Sequence, residues 1–342
     1  MTNDLSLASG ASGCDYHIGL FEPEDAVGIV ELFRDVYGDE YPIRIFYDPD
    51  ALIEANREGT YRCAVARRDD GRVIGVTNVY RSAPNPDLYE WGVGLTLKEF
   101  RGSGVFNRIG DYLADVAIPA LGIGMMFGEA VCNHVHTQKM VARNGFADVT
   151  LEVALMPAQI YTKEPGVTGR VAALLQFRTY KSRPHRVFLP AVYREQLRFI
   201  YSDLDDKREF GIADEPLPAG TPSKTAFQIF DFANLARMIF HEVGSDFDAK
   251  SRELEDQARD ANTVVFQVSL PLNQVSVGRA VETLRSRGYF LGGPLIQWFG
   301  DDGLLMQKVE CNPDFDEIRL HSDRARQIKD LVQQDWERSG RR

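Results

Sequence analysis

A glycine-containing turn is the part of the sequence with the clearest chemistry. A strand-like stretch at 88–97 is followed by the turn R-G-S-G at 101–104, and a helical pattern begins at Val105. Glycine lets a backbone approach a ligand without a Cβ clash, and the first N–H groups of a helix attract an anion. The turn therefore predicts a diphosphate site made of backbone amides. The alternative is that it only joins a strand to a helix.

Two acidic residues are candidates for proton transfer. Glu90 stands between Tyr89 and Trp91, and Glu129 follows Phe127 near the end of the next predicted strand. Apolar surroundings raise the pKa of a carboxyl group, which suits a general base. Both residues are therefore predicted bases. The alternative for each is a side chain that faces solvent or forms an ion pair.

The segment 132–139 combines a cysteine with two histidines. His134 and His136 have no third ligand of matching spacing nearby, so no metal site is predicted. His134 is a candidate acid or base because histidine titrates near neutral pH. The alternative is that Thr137 or His136 caps a helix while the rest packs locally. Cys132 has no signature of activation and is predicted to be a buried, inert thiol.

The elements that position these residues alternate between strand and helix through the first half of the chain. Apolar periodicity and turn signals set their limits. Strands are predicted at 16–21, 61–67, 73–80, 88–97, 123–131 and 146–155, and helices at 22–37, 51–57, 105–118 and 137–143. Strands are also predicted at 226–232, 263–270, 289–298 and 304–309, helices at 247–261, 277–287 and 322–337, and a loop at 204–224.

The glycine turn and its surroundings resemble the GNAT superfamily of N-acetyltransferases over about residues 16–156. That family has an R/Q-x-x-G-x-G/A turn after a strand, an Asn after the next strand, and a helix that ends in G-F, here at Gly145 and Phe146. The resemblance implies an α/β fold with a mixed sheet that splays between strands 88–97 and 123–131. It also implies that the pantetheine arm of acetyl-CoA lies in the splay, with the acyl carbonyl facing an amine.

The resemblance can be carried over residue by residue. It implies cofactor contacts at the pyrophosphate turn and first helical turn (Arg101, Gly102, Ser103, Gly104, Val105 and Phe106), on the strand (Leu95, Thr96 and Leu97) and at Asn133. Phe106 departs from the family, which usually has Gly or Ala there. Val141 or Met140 stands where many members carry a Tyr that protonates the leaving thiolate. Three alternatives follow for the proton of the leaving thiolate. Another side chain donates it, water donates it, or the chemistry is altered or absent.

The second half repeats the order strand, helix, Gly-aromatic, strand. This repeat predicts a second, degenerate GNAT-like domain without an R-G-x-G turn, so that a disordered tail at 1–13 is followed by domains at 14–158 and 159–342. The alternative is an unrelated α+β domain. A degenerate domain would shape the substrate pocket, cover the acceptor side or form a homodimer.

The composition limits the partners of the chain. Its 342 residues include 39 Lys and Arg against 50 Asp and Glu, a net charge of −11, which argues against nucleic acid. No apolar window is long enough to span a membrane, and no secretory signal is present at the N-terminus. The four cysteines have no paired spacing, so reduced thiols in a cytoplasmic protein are expected.

The function predicted from these features is acyl-CoA-dependent N-acylation. Acetyl-CoA is the expected cofactor and a small-molecule or protein amine the expected acceptor, with direct transfer and a Glu general base. A second hypothesis is a non-catalytic acyl-CoA-binding sensor, which the missing Tyr motivates. A third is another reaction of an acyl-CoA, such as decarboxylation or O-acylation.

Overall fold

The chain is described by a computed structural model that covers residues 7–8, 16–39, 41, 43–161, 169–204 and 207–340. It divides into two compact units, the first ending at Gly128 and the second beginning at Glu129. The predicted division at residue 158 stays a prediction. The predicted tail at 1–13 lies outside the described residues, apart from Leu7–Ala8, which form a short strand.

The first unit is built on a mixed sheet. Its strands are β1 (Leu7–Ala8), β2 (Tyr16–Leu20), β3 (Tyr61–Arg68), β4 (Val73–Tyr80), β5 (Leu88–Thr96) and β6 (Met125–Val131), hydrogen-bonded in that order. The pairs are antiparallel except for β5 and β6, which are parallel. The last residues of β6 belong to the second unit. The predicted α/β class with mixed sheets is confirmed.

Helices of the first unit begin and end at local signals in the sequence. They are α1 (Asp25–Tyr37), α2 (Pro49–Glu58), α3 (Val105–Tyr112) and the short α4 (Ile118–Ala120). The Asp48 side chain accepts hydrogen bonds from the first N–H groups of α2, as a helix cap does. The predicted helix at 105–118 is interrupted by a π-turn at Leu113–Ala117. We attribute this turn to Pro119, whose ring needs room at the carbonyl four residues earlier.

A buried ion pair joins α1 to the sheet. Arg67 on β3 donates through Nε to Asp25 Oδ1 at 2.7 Å and through a second nitrogen to the other carboxylate oxygen. Asp25 also accepts from the backbone N–H of Glu22 at 2.7 Å. Asp25, in the first turn of α1, therefore both pairs with Arg67 and accepts a backbone N–H at the start of the helix.

The second unit contains a hairpin, a parallel strand pair and a five-stranded sheet. The hairpin is β7 (Ala147–Pro157) with β8 (Arg170–Thr179), and the parallel pair is β9 (His185–Pro190) with β10 (Arg208–Ala213). The sheet has the order β11 (Lys224–Phe230), β12 (Leu235–Glu242), β13 (Val265–Pro271), β15 (Gly303–Val309) and β14 (Phe290–Leu295). Only β12 and β13 run parallel in it.

The helices of the second unit follow the predicted order, with one addition. They are α5 (His136–Arg143), α6 (Arg194–Tyr201), α7 (Phe247–Asp260), α8 (Val277–Ser286) and α9 (Asp323–Ser339). The prediction missed α6, β8, β9 and β12, and it was wrong to make all of 204–224 a loop, because this stretch contains β10. Gln307 on β15 fixes the hairpin against the sheet, since it donates to Leu151 O and accepts from Val153 N on β7.

The repeated element order predicted for the second half is present as β13, α8, β14 and β15. The Gly288-Tyr289-Phe290 segment connects α8 to β14, and Gly288 has a positive φ of 87°. No helix in the described parts of the chain is long and apolar enough to cross a membrane.

Candidate functional site

The glycine turn adopts a conformation that requires glycine. Gly102 and Gly104 have φ values of 81° and 86°, in the left-handed region that strains other residues. The Ser103 hydroxyl donates to Phe100 O at 2.6 Å and closes the turn. Apart from the glycine and its two chain neighbours, no described residue has an atom within 4 Å of the position that a Cβ would occupy at Gly102 or Gly104. The turn therefore leaves open space beside its backbone.

This open space lies at the N-terminus of α3, which begins at Val105. The first N–H groups of a helix have no acceptor within the helix and carry its positive dipole end. Arg101 and Ser103 are exposed next to them. An anion such as a diphosphate fits this donor set and this space.

Phe106, the departure from the family motif, does not fill the space beside the turn. Its ring packs on β5 at Gly94, where an added Cβ would lie 2.6 Å from Phe106 Cε2. A Cβ there would also lie 3.0 Å from Thr77 Oγ1. Phe106 therefore lies against the strand, and the absence of a side chain at Gly94 makes this contact possible.

Strand β5 bends between Glu90 and the glycine turn. Its register with β4 shifts between Val76 and Asn78, and Val93 has a positive φ of 50°. The Asn78 side chain donates to Val93 O at 2.6 Å and holds the bulge. Pairing of β5 with β6 runs from Leu88 to Trp91, so the end of β5 lies beyond it. The predicted contact residues Leu95, Thr96 and Leu97 are all buried.

Glu90 is half-buried and accepts a hydrogen bond from the Tyr80 hydroxyl at 2.5 Å. The expected neighbours Tyr89 and Trp91 are buried instead, because successive side chains of a strand point to opposite faces. Tyr89 donates to Gly59 O at 3.0 Å, and Trp91 donates to Thr77 Oγ1 at 2.8 Å. The aromatic group next to the Glu90 carboxylate is therefore Tyr80.

A row of aromatic rings leads away from Glu90. Tyr80 stacks on Tyr61 with 5.3 Å between ring centroids, and the rings of Tyr61 and Phe46 are perpendicular with centroids 5.7 Å apart. Tyr41 lies 6.0 Å from Phe46. Burial raises the pKa of Tyr61, and the charge of Glu90 raises it further. A row of aromatic faces that ends in a carboxylate is suited to an organic cation. The sequence prediction missed this row.

Glu129, the second predicted base, lies in the second unit at the end of β6. One guanidinium nitrogen of Arg237 lies 3.5 Å from its Oε2. The same nitrogen lies 3.5 Å from Oε1 of Glu152 on β7. Gln267 donates to that oxygen at 2.7 Å and accepts from Arg237 Nε at 2.8 Å. The alternative predicted for Glu129, an ion pair, is therefore present. A second carboxyl group, that of Glu152, contacts the same arginine.

Glu152 is the buried member of this cluster. Its side chain is 4% exposed, against 22% for Glu129. Burial raises the pKa of Glu152 to about 8, and the charge of Glu129 acts in the same direction against Arg237. The sequence prediction missed Glu152, although it is the only charged residue in the apolar stretch 149–156.

The segment after β6 holds the remaining predicted residues. Asn133 is exposed, and His134 is half-buried with its ring 5.4 Å from His136. Burial lowers the pKa of His134, which favours the neutral ring. Burial also raises the pKa of Cys132 to about 12, in agreement with an inert thiol. The helix-cap alternative is wrong, because Val135 holds the N-cap position of α5 without a side-chain bond.

The position of the missing Tyr is buried and apolar. Val141 is 2% exposed and packs in the core, and Met140 beside it is half-buried. Neither side chain has a proton to give. Within the described residues, no group of three or more His, Cys, Asp or Glu side chains is placed to hold a metal ion.

Comparisons with known proteins give structural matches only. No protein-family model matches the chain, and no curated protein matches it. A ribosomal-protein alanine acetyltransferase from Vibrio fischeri is 16% identical and has a TM-score of 0.39, with 51% of this chain and 96% of that chain covered. An N-acetyltransferase from Staphylococcus aureus is 14% identical and has a TM-score of 0.39, with 48% and 99% covered.

A dodecameric spermidine N-acetyltransferase from Vibrio cholerae is also 14% identical. Its TM-score is 0.37, with 48% of this chain and 93% of that chain covered. Each of these matches covers about half of this chain. The predicted second GNAT-like domain stays a prediction.

Proposed function

We propose that the chain is an acyl-CoA-dependent N-acyltransferase that moves an acetyl group to a small-molecule amine. The observation that carries this proposal is the turn at Gly102 and Gly104. It presents backbone amides and open space at the start of α3, directly after the bulged strand β5. An open, left-handed glycine also occurs in a plain turn at Gly71, so the support comes from the position of Gly102 and Gly104 at the start of α3, where helix N–H groups face the open space.

The binding roles follow from the geometry of the turn and strand. When bound, acetyl-CoA supplies an acyl group activated as a thioester. The Ser103 amide donates to Phe100 O at 3.3 Å, so the amides of Gly102, Gly104 and Phe106 would hold the diphosphate, with Arg101 adding a positive charge. Because the side chains of Leu95, Thr96 and Leu97 are buried, β5 would contact the pantetheine arm through its main chain.

The acceptor role falls to Glu90 and the aromatic row. An amine reacts only in its neutral form, so a carboxylate must take up a proton before or during attack. Tyr80 fixes the orientation of Glu90 through its 2.5 Å hydrogen bond. The half-buried rings of Tyr61 and Tyr80 would line the approach of the amine to Glu90. We therefore assign Glu90 as the general base and Tyr80 as a positioning residue.

Replacing Gly104 with alanine tests the cofactor site. The methyl group enters the open space and forces alanine into the left-handed region, so the turn loses one or two amide contacts to the anion. We expect the dissociation constant for acetyl-CoA, measured by titration calorimetry, to rise roughly 10- to 100-fold, because each 1.4 kcal/mol is tenfold.

Gly71→Ala is the matched control for this variant. Gly71 lies in the β3–β4 turn with a φ of 84° and equally open surroundings, so it carries the same backbone strain. Acetyl-CoA affinity in Gly71→Ala should equal that of the wild type. Equal affinity in Gly104→Ala, or no heat of binding by the wild type at millimolar acetyl-CoA, would refute the proposed site.

A second candidate function is a non-catalytic sensor of acyl-CoA. It is favoured by the buried Val141, which cannot donate a proton to a leaving thiolate. A sensor binds the cofactor without releasing its thiol. Measuring thiol release from acetyl-CoA against a panel of aromatic amines, alkyl amines and polyamines separates the two functions. Release that depends on an amine supports the enzyme, and tight binding without release supports the sensor.

A further inference from the structure

A cavity of the first unit lies between the end of β2, helix α2 and the first residues of β3. Its volume is about 300 Å³, the lower end of the range for small-molecule sites. None of its residues belongs to the glycine turn or to the aromatic row. Much of the wall is made of apolar side chains that are only half-buried: Leu20, Phe21, Ile53 and Leu121.

Two arginines line the same cavity, and they differ in their partners. Arg57 is exposed and donates through Nε to Glu54 Oε2 at 2.8 Å and through a second nitrogen to the other carboxylate oxygen. Arg62 is half-buried, and no carboxylate of the described chain is within ion-pair distance of it. The positive charge of Arg57 is therefore balanced, whereas that of Arg62 has no counter-ion in this part of the protein.

The Arg62 guanidinium is held in place by the end of α2. One of its five N–H groups donates to Asn56 O in the last turn of this helix. The group also lies on Gly59, where an added Cβ would be 2.7 Å from Nη2. The absence of a side chain at Gly59 therefore makes room for a fixed cation at the edge of the cavity.

The polar neighbours of Arg62 do not supply a negative charge. Cys63 is fully buried, and burial raises the pKa of its thiol to about 12, so the thiol stays neutral. Asn56 donates to Cys63 Sγ at 3.3 Å and accepts from Cys63 N at 3.1 Å, so its amide is bonded within the protein. A half-buried guanidinium beside an apolar wall is complementary to an anion that carries an apolar chain.

We propose that this cavity is a binding site for a carboxylate with an apolar chain. The carboxylate would accept charge-assisted hydrogen bonds from Arg62, and the chain would lie against the apolar wall. The site is independent of the proposed acyl transfer, because it shares no residue with the cofactor turn or with Glu90.

Octanoate and octanol are the probes for this site, because they share an apolar chain and differ in charge. In titration calorimetry of the full chain, we expect octanoate to bind roughly 10- to 100-fold more tightly than octanol. Arg62→Gln should bind the two alike, since an amide can still donate to Asn56 O but carries no charge. Equal affinity for both probes in the wild type, or no heat of binding at millimolar octanoate, would overturn the proposal.

Arg72→Gln is the matched control for the loss of charge. Arg72 follows the turn at the opposite end of β3, is exposed and lies 2.9 Å from Glu99. This variant should keep the wild-type preference for octanoate. If Arg72→Gln weakens octanoate binding as much as Arg62→Gln does, the effect comes from net charge and the assignment to Arg62 is wrong.

Ile53→Trp tests where octanoate binds, and it decides the question even if Arg62→Gln fails to fold. The indole ring would fill the cavity from α2, so octanoate binding should be lost while the thermal unfolding transition remains. Wild-type affinity in this variant would place the ligand outside the cavity and refute the site. Gly104→Ala should bind octanoate as the wild type does. If it does not, the carboxylate occupies the cofactor turn instead, and the proposed cavity site is wrong.

Discussion

Replacing Asp302 with asparagine is expected to lower the free energy of unfolding by about 3–5 kcal/mol, the usual cost of removing one partner from a buried ion pair. Asp302 is fully buried and its Oδ2 accepts from Arg208 Nε at 2.6 Å. Its Oδ1 lies 3.2 Å from His185 Nε2 and accepts from Gln297 N at 2.9 Å. Asparagine fits the space but removes the negative charge that Arg208 and His185 both face.

The stabilisation by the Asp302 cluster falls at low pH, where Asp302 is protonated, and at high pH, where His185 loses its proton. Burial alone would raise the pKa of Asp302, but His185 and Arg208 outweigh it and lower the pKa from 3.8 to about 2. The stabilisation by Asp302 is therefore present above pH 3.8 and lost as the pH falls to about 2. Burial lowers the pKa of His185, but Asp302 raises it further, so the net pKa is raised. The His185 contribution is full below pH 6.5 and is lost as the pH rises through the folded pKa.

Asp301→Asn is the control for this prediction. Asp301 is in the same turn, is 29% exposed and lies 3.7 Å from the exposed Arg183. An exposed pair of this kind contributes about 0–1 kcal/mol. Urea denaturation of both variants at pH 6 and pH 3 measures the difference. Similar losses in Asp301→Asn and Asp302→Asn would show that the buried cluster does not stabilise the fold.

The Asp301-Asp302-Gly303 turn shows which features the sequence can predict and which depend on distant residues. A turn between two strands is encoded by adjacent residues, so the prediction of strands around it is confirmed. The burial of Asp302 depends on Arg208, which is 94 residues away. Arg208 itself lies on β10, within a stretch whose charge and Pro content predicted a loop. Its pairing with β9 is a tertiary effect that the local composition does not encode.

The candidate site also contains features that neighbouring residues predict and features that only tertiary contacts determine. The turn at Gly102 and Gly104 was predictable because the strand, the glycines and the helix start lie within about ten residues. The aromatic row depends on strand register, which places Tyr61 opposite Tyr80. Glu152 and Arg237 are 85 residues apart and meet only through packing in the second unit. The predicted catalytic and cofactor roles of single residues stay predictions.

Replacing Glu90 with glutamine is expected to lower kcat/KM for amine acetylation by roughly 10²–10⁴-fold, the usual contribution of a general base. Glutamine keeps the shape of the side chain and can still accept the hydrogen bond from Tyr80, but it cannot take up a proton from the amine. The affinity for acetyl-CoA should not change, because the turn at Gly102 and Gly104 is intact. Steady-state rates of amine-dependent thiol release measure the effect.

The identity of the acceptor distinguishes a base from a merely structural residue. An amine of low pKa is already neutral at about pH 7 and needs no base, so the deficit of Glu90→Gln should shrink with such an acceptor and also as the pH rises. Glu31→Gln, an exposed position on α1, should behave as the wild type throughout. If Glu90→Gln lowers kcat/KM equally for acceptors of high and low pKa, then Glu90 only supports the structure of the aromatic row. Another group would then remove the proton from the amine. A protonated amine must lose that proton before it can attack the thioester, whatever the arrangement of the aromatic rings.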